Sequence, residues 1–263
     1  METATSVDGT TLAYDRVGEG PPLILLGGAT CTRGITLPLA QALSEHVTVI
    51  NPDRRGRGDS NDLSGPPPYD PRREVEDVAA LVEAAGGAAA VYGHSSGAAL
   101  ALHAATAGIG VTSLVMHDAP FNLPGTEQRG RDWDALLTSL LAADRRGEAI
   151  EAFLTLVGLP SAVIEQMREG PYWPAMEAVA PTLAYDSAAM GDRDGGLVPA
   201  AEIARVDVPT LVVVGGADHD FMIDVAHRLV EGIADARLEH LVGASHDVGP
   251  EIVVPAILPF LLS

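Results

Sequence analysis

One short stretch has the residue types and spacing for nucleophilic chemistry: Gly93-His94-Ser95-Ser96-Gly97. A serine in G-x-S-x-G serves as a nucleophile when the chain around it makes a sharp strand-to-helix turn. On such a turn the serine backbone is strained, so the positions two before and two after must be nearly free of side chain. Gly93 and Gly97 meet that demand, and Ala98 lets the helix start lie close to the sheet. The flanks agree. An apolar, β-prone run at 88–92 leads in, and a run with helical spacing leads out (Ala98, Leu100, Ala101, Leu102, Ala104, Ala105). The turn presents the Ser95 hydroxyl at the positive end of the following helix. Taken alone, the motif also fits an ordinary glycine-rich loop, so the rest of the chain has to decide.

A serine hydroxyl needs a histidine to take its proton and a carboxylate to orient that histidine. Of the eight histidines, His246 is best placed, in Gly243-Ala244-Ser245-His246-Asp247 between a predicted strand and the last helix. Open α/β sheets put their sites in loops at the carboxyl ends of strands. By the same reasoning Asp218, which follows the strand 211–214 and Gly215-Gly216-Ala217, is the expected acid. Asp220, two residues on, and Asp118, at the end of an earlier strand, could substitute for it. The order Ser95, Asp218, His246, each after a predicted strand, says more than any one of them. Acyl transfer also needs donors for a developing oxyanion. These are expected from the N–H of Ser96 and, in the loop after 23–26, from the N–H of Ala29, where Gly27-Gly28 frees the backbone for a close approach.

Other chemistries find less support. Cys31, the single cysteine, lies near the expected site and reads as a small pocket-lining residue; no internal disulfide is possible. The histidines are scattered, with no His-x₃-His and no cysteine pair, so no metal is expected. No phosphate loop or dinucleotide fingerprint is present, and no cofactor is expected.

Positioning these residues falls to alternating elements. A hairpin is predicted around Asp8-Gly9-Thr10, then strands at 23–26, 47–50, 88–92, 111–116, 210–214 and 237–242. Helices are predicted at 35–43, 73–85, from 98 to 107, 221–233 and 250–262. Short buried strands alternating with helices imply a parallel, doubly wound α/β sheet. The alternation stops at 119–196, where only helices are predicted, at 133–145, 147–157, 161–169 and 175–186. That break reads as a helical insert, 119–196, in a core made of 1–118 and 197–263.

Composition sets the outer bounds. At 263 residues, 47% apolar and 20% charged, the chain has ample material for a core. A formal charge of −20 disfavours nucleic acid as a partner. The N-terminus lacks the features of a secretory signal, and no apolar run is long enough to span a membrane. A cytoplasmic protein acting on a small molecule is the expectation; the oligomeric state is not legible.

These motifs together resemble the α/β-hydrolase fold superfamily, over essentially the whole length. The residues that carry the resemblance are the hairpin, the Leu25-Leu26-Gly27-Gly28 loop, Asp53-Arg54-Arg55-Gly56-Arg57-Gly58-Asp59-Ser60 (similar to D-x-R-G-x-G-x-S), the G-H-S-x-G elbow, and the acid and histidine loops. The resemblance implies a mostly parallel eight-stranded sheet with helices on both faces and a helical cap at 119–196. Relatives usually carry His-Gly where this chain has Gly27-Gly28, and that histidine supports the loop. The chemistry implied is hydrolysis of a carboxylic ester, lactone or thioester with an apolar acyl or alkyl part, through an acyl-enzyme on Ser95. The same triad also serves carbon–carbon bond hydrolases, hydroxynitrile lyases and cofactor-free haloperoxidases, and some ligand-binding receptors use this fold. The insert offers Trp133, Trp173 and Met176, with Phe121 at its start, as substrate-binding candidates. Most such side chains pack a core, and some are expected to line an apolar pocket.

Overall fold

The computed structural model describes residues 1–65, 67–215, 217 and 220–263. Asp218, the acid expected from the sequence, lies outside the described residues. Among those described, eight strands form one sheet, in the order β1-β2-β4-β3-β5-β6-β7-β8. They are β1 (Glu2–Thr5), β2 (Thr11–Val17), β3 (Pro22–Leu26), β4 (Thr48–Pro52), β5 (Ala89–His94), β6 (Val111–His117), β7 (Thr210–Val214) and β8 (Ala236–His240). The β1–β2 hairpin pairs antiparallel, as does β2 with β4, and every later pairing is parallel. The mostly parallel doubly wound sheet expected from the alternation is therefore the one observed.

Strand side chains alternate between the two faces, and each face is covered. On one face Ile24, Leu26 and Val91 pack with α2 (Arg72–Ala84), α3 (Ser96–Ala105) and α10 (Asp220–Gly232), through Val78, Leu81, Ala101, Val225 and Leu229. On the other, Leu23, Leu25 and Tyr92 pack with α1 (Arg33–Leu43) and α11 (Pro250–Leu261), through Leu43 and Ile257. The carboxyl ends of β3, β5, β6 and β7 lie side by side, which gathers the loops at 27–32, 94–96, 118 and after 214 along one edge.

Between β6 and β7 the chain is helical: α4 (Glu127–Ala142), α5 (Arg146–Leu156), α6 (Ser161–Arg168), α7 (Trp173–Val179) and α8 (Leu183–Met190). This insertion has its own apolar cluster, with Trp133, Leu137, Ile150, Trp173 and Leu183 at its centre. The helix predicted at 175–186 is two helices. A 3-10 turn at Ala180–Thr182, containing Pro181, separates α7 from α8, because proline cannot donate to a continuous helical ladder. A four-residue helix, α9 (Ala200–Ile203), is too short for its sequence to show helical periodicity. α8 belongs to both bodies: Leu183 packs in the insertion's cluster, while Ala189 and Met190 pack in the main core.

After α8, burial and the neighbouring Asp134 carboxylate push Asp192 up to about 7. Between the ordinary carboxylate value, 3.8, and about 7, the unfolded chain is ionised at this position and the folded one is not. Stability from this group is thus full below that window and is lost as pH rises through it. Asp192→Asn removes the titration. Its Tm relative to the parent is expected to rise by on the order of 5 °C between pH 4 and pH 8, read by thermal melts at both. An equal Tm difference at the two pH values would contradict it.

Candidate active site

Ser95 sits between β5 and α3 with φ +57° and ψ −127°, a conformation that costs a non-glycine residue about 1–3 kcal/mol. The flanking glycines are required by contact. A Cβ on Gly93 would run into Gly97 O and the Ala98 Cα, and one on Gly97 into the carbonyls of Leu26 and Gly27. The Ser95 N–H donates to His117 O at 2.9 Å, which ties the turn to β6. Among the described residues, Thr30, Ser95, Asp118 and Asp144 have positive φ without being glycine. Three of the four follow the carboxyl ends of β3, β5 and β6, so backbone strain is concentrated along the edge where the sequence places the site.

His246, between β8 and α11, comes to this edge. Its ring lies against that of His94, centroids 4.5 Å apart. His94 Nε2 donates to the His246 carbonyl at 3.1 Å and so holds the histidine loop against the turn. Nδ1 of His246 is 3.3 Å from Oδ2 of Asp118. The other Asp118 oxygen accepts the Gly215 N–H at 2.9 Å. Burial pushes the Asp118 carboxyl up, but the bond from His246, the facing His117 and the Gly215 N–H outweigh it and hold the group below its ordinary value. Asp118 is thus a buried carboxylate aimed at His246. Asp220 starts α10 and is exposed.

Two further histidines surround this carboxylate. His117 Nδ1 is 2.6 Å from the Tyr92 hydroxyl, and its Nε2 is 3.8 Å from Asp118 Oδ2. Burial pushes the Tyr92 phenol up, so it keeps its proton and donates to Nδ1. The His117 proton then resides on Nε2, facing Asp118. Burial, with repulsion from His246, takes His117 down to about 4. Burial and the neighbouring histidines hold His94 well below its ordinary value. Both are neutral near pH 7. Within this group, His94, Asp118 and His246 offer ligand atoms within 4.8 Å of one another, close enough for a cation. The spacing of the histidines in sequence does not show this trio, because the fold assembles it from the end of β5 and the segments after β6 and β8.

The loop after β3 lies against Ser95. A Cβ on Gly28 would be 2.9 Å from Ser95 Cβ and 3.5 Å from its Oγ. Gly28→Ala is therefore expected to slow fluorophosphonate labelling of Ser95 about 10–100-fold through misplacement of the nucleophile, with the fold intact by circular dichroism. Labelling at the parent rate would contradict it. Two buried arginines of the 53–60 motif hold this loop. Arg54 Nη1 donates to Gly27 O at 3.1 Å and Arg57 Nη1 to Gly28 O at 2.6 Å. Both also bind Asp186 of α8, at 2.8 and 2.9 Å, and Ser96 Oγ donates to Asp186 at 2.7 Å. Arg55, fully buried, pairs bidentately with Asp77 and reaches Asp8 at 2.8 Å. Asp186 carried no sequence signal, since its partner Ser96 is 90 residues away.

The proposed substrate contacts are placed as follows. Phe121 is 1% exposed and packs in the main core. Trp133 and Trp173 are buried in the insertion's cluster, with Trp173 Nε1 donating to Glu177 at 2.9 Å. Met176 is half-buried against that cluster, as is Ala29 of the β3 loop, so loop and insertion touch. Cys31 is half-buried behind Gly27, and burial raises its thiol.

Comparison with known proteins agrees with the fold. The model of the "Alpha/beta hydrolase family" matches residues 23–253. A crystal structure of an alpha/beta hydrolase from Sphaerobacter thermophilus is similar over 98% of this chain and 99% of that one, at 44% identity and a TM-score of 0.87. A hydrolase from Pseudomonas aeruginosa is similar over 100% and 98%, at 28% identity and a TM-score of 0.77. A pimeloyl-[acyl-carrier protein] methyl ester esterase from Xanthomonas campestris is 35% identical over 156 residues. The chain spans little more than half of that relative, 57% of its length, using 56% of its own.

Proposed function

Because this chain belongs to the alpha/beta hydrolase family, we propose that it is a serine hydrolase acting on a small carboxylic ester, lactone or thioester with an apolar acyl or alkyl part. The observation that carries the proposal is the strained Ser95 on the same sheet edge as a histidine whose Nδ1 faces a buried carboxylate. Ester chemistry is favoured by the similarity to a methyl ester esterase.

In this mechanism Ser95 Oγ attacks the carbonyl while His246 takes its proton. The acid is proposed at Asp118, on its described contact, where it holds the imidazole tautomer and stabilises the imidazolium. The N–H groups of Ala29 and Ser96 receive the oxyanion. His246 returns the proton to the leaving group, and water, activated by His246, then cleaves the acyl-enzyme. The insertion at 119–196 acts as the cap. Trp173, Met176 and Trp133 of its cluster are proposed to present its apolar surface to the acyl chain; Phe121 packs in the main core and supports that surface only indirectly.

Turnover across p-nitrophenyl esters of increasing chain length, with lactones and thioesters alongside, tests this. A graded preference is expected, since a methylene in an apolar pocket is worth about 1–3 kcal/mol. Trp173→Ala or Met176→Ala is expected to shift the preferred length through kcat/KM. No turnover in any of the three classes would overturn the ester proposal.

A further inference from the structure

We propose that Asp186 is a positioning residue for the oxyanion hole, acting through Arg57 and Ser96; this rests on the serine-hydrolase proposal above. Its carboxylate is buried on α8 and receives three groups. Ser96 Oγ donates to Oδ1 at 2.7 Å, Arg54 Nη1 to Oδ1 at 2.8 Å, and Arg57 Nη2 lies 2.9 Å from both oxygens. The same guanidiniums continue to the β3 loop, Arg57 to Gly28 O and Arg54 to Gly27 O. One carboxylate is thus bonded to the supports of both segments that supply oxyanion donors.

Peptide geometry turns this into a direction. The Gly28 carbonyl and the Ala29 N–H belong to one planar trans unit and point opposite ways. Arg57, at 2.6 Å from the Gly28 oxygen, pins one end of that unit and thereby aims the other. The Cys31 N–H, 3.3 Å from the same oxygen, adds to the restraint. On the far side, Ser96 is the first residue of α3, and its hydroxyl bond to Asp186 fixes the start of the helix that carries the second N–H. Two donors from segments far apart in sequence must converge on one oxygen, and a shared carboxylate restrains both at once.

The charges balance around that anchor. Glu74 takes Arg54 in two parallel bonds of 2.8 Å, so the buried cluster holds two guanidiniums and two carboxylates. An asparagine at 186 would fill the same volume without the charge that holds Arg57. Because Leu183 of the same helix packs in the insertion's cluster, these bonds also tie the insertion to the oxyanion loop.

The test measures kcat and KM on the preferred p-nitrophenyl ester and Ki for an alkyl trifluoromethyl ketone, which forms a tetrahedral oxyanion on Ser95. Asp186→Asn is expected to lower kcat about 10–100-fold with KM within about threefold, and to weaken the ketone by the same factor as kcat/KM. Ser96→Ala keeps its N–H, adds no unpaired charge and is expected to lose about tenfold in both. The double variant is expected to lose no more than about threefold beyond Asp186→Asn, because the two act as one unit. If Asp186→Asn does not fold, Ser96→Ala decides alone. A folded variant with kcat and ketone Ki within threefold of the parent, or a loss in KM alone, would overturn the role of Asp186. Failure of the parent to take a fluorophosphonate would instead overturn the hydrolase proposal, so the two failures are distinct.

Discussion

Ser95→Ala is expected to lower kcat on the preferred ester by a factor on the order of 10⁶, the size of loss seen when a triad serine is removed. The expectation follows from the backbone. A left-handed serine with φ +57°, between two glycines that cannot carry a Cβ, is a costly arrangement with no packing purpose. Strain of this kind persists where the surroundings enforce it, and here α3, β6 and the β3 loop all do so. Alanine keeps the same backbone and loses only the hydroxyl, so Tm should change by no more than about 3 °C. A kcat loss below tenfold, with the fold intact, would place the nucleophile elsewhere.

The second large effect concerns the acid. Asp118→Asn is expected to lower kcat by a factor on the order of 10⁴, because an amide at this position would favour the wrong imidazole tautomer. The contact to His246 Nδ1 at 3.3 Å and the bond from Gly215 N–H both need an acceptor, and asparagine can satisfy only one of them through its oxygen. Asp218→Asn is the control. A large loss there, with Asp118→Asn near the parent, would move the acid to the loop after β7, where the sequence reading put it.

The sheet and the elbow were legible because their signals are local. Continuous apolar runs such as 210–214 mark strands buried on both faces, and Gly93 and Gly97 mark a turn whose steric demand is met within five residues. Where local signals compete, the reading blurred. A helix carried through 175–186 missed the break at Pro181, which is what lets α8 start afresh at Leu183 and present Asp186 inward. α4 begins at Glu127 rather than near 133, because its polar first turn has no apolar periodicity to reveal it. The acid was the hardest to choose, since carboxylates follow both β6 and β7 and only tertiary packing brings one to a given histidine. Asp186, the arginines that hold the Gly27 and Gly28 carbonyls, and the His94, Asp118 and His246 trio are products of long-range contact. The 53–60 motif pointed to a family loop, and the bonds its arginines make to the Gly27 and Gly28 carbonyls and to Asp186 appear only once the chain is folded.

The central claim is a covalent intermediate on Ser95. Its most direct test is to treat the protein with an alkyl fluorophosphonate, measure the intact mass and map the adduct by peptide sequencing. One adduct is expected, on the peptide carrying Ser95, in the parent and none in Ser95→Ala. An adduct on another residue, equal labelling of Ser95→Ala, or no adduct in a protein that turns over esters would contradict it.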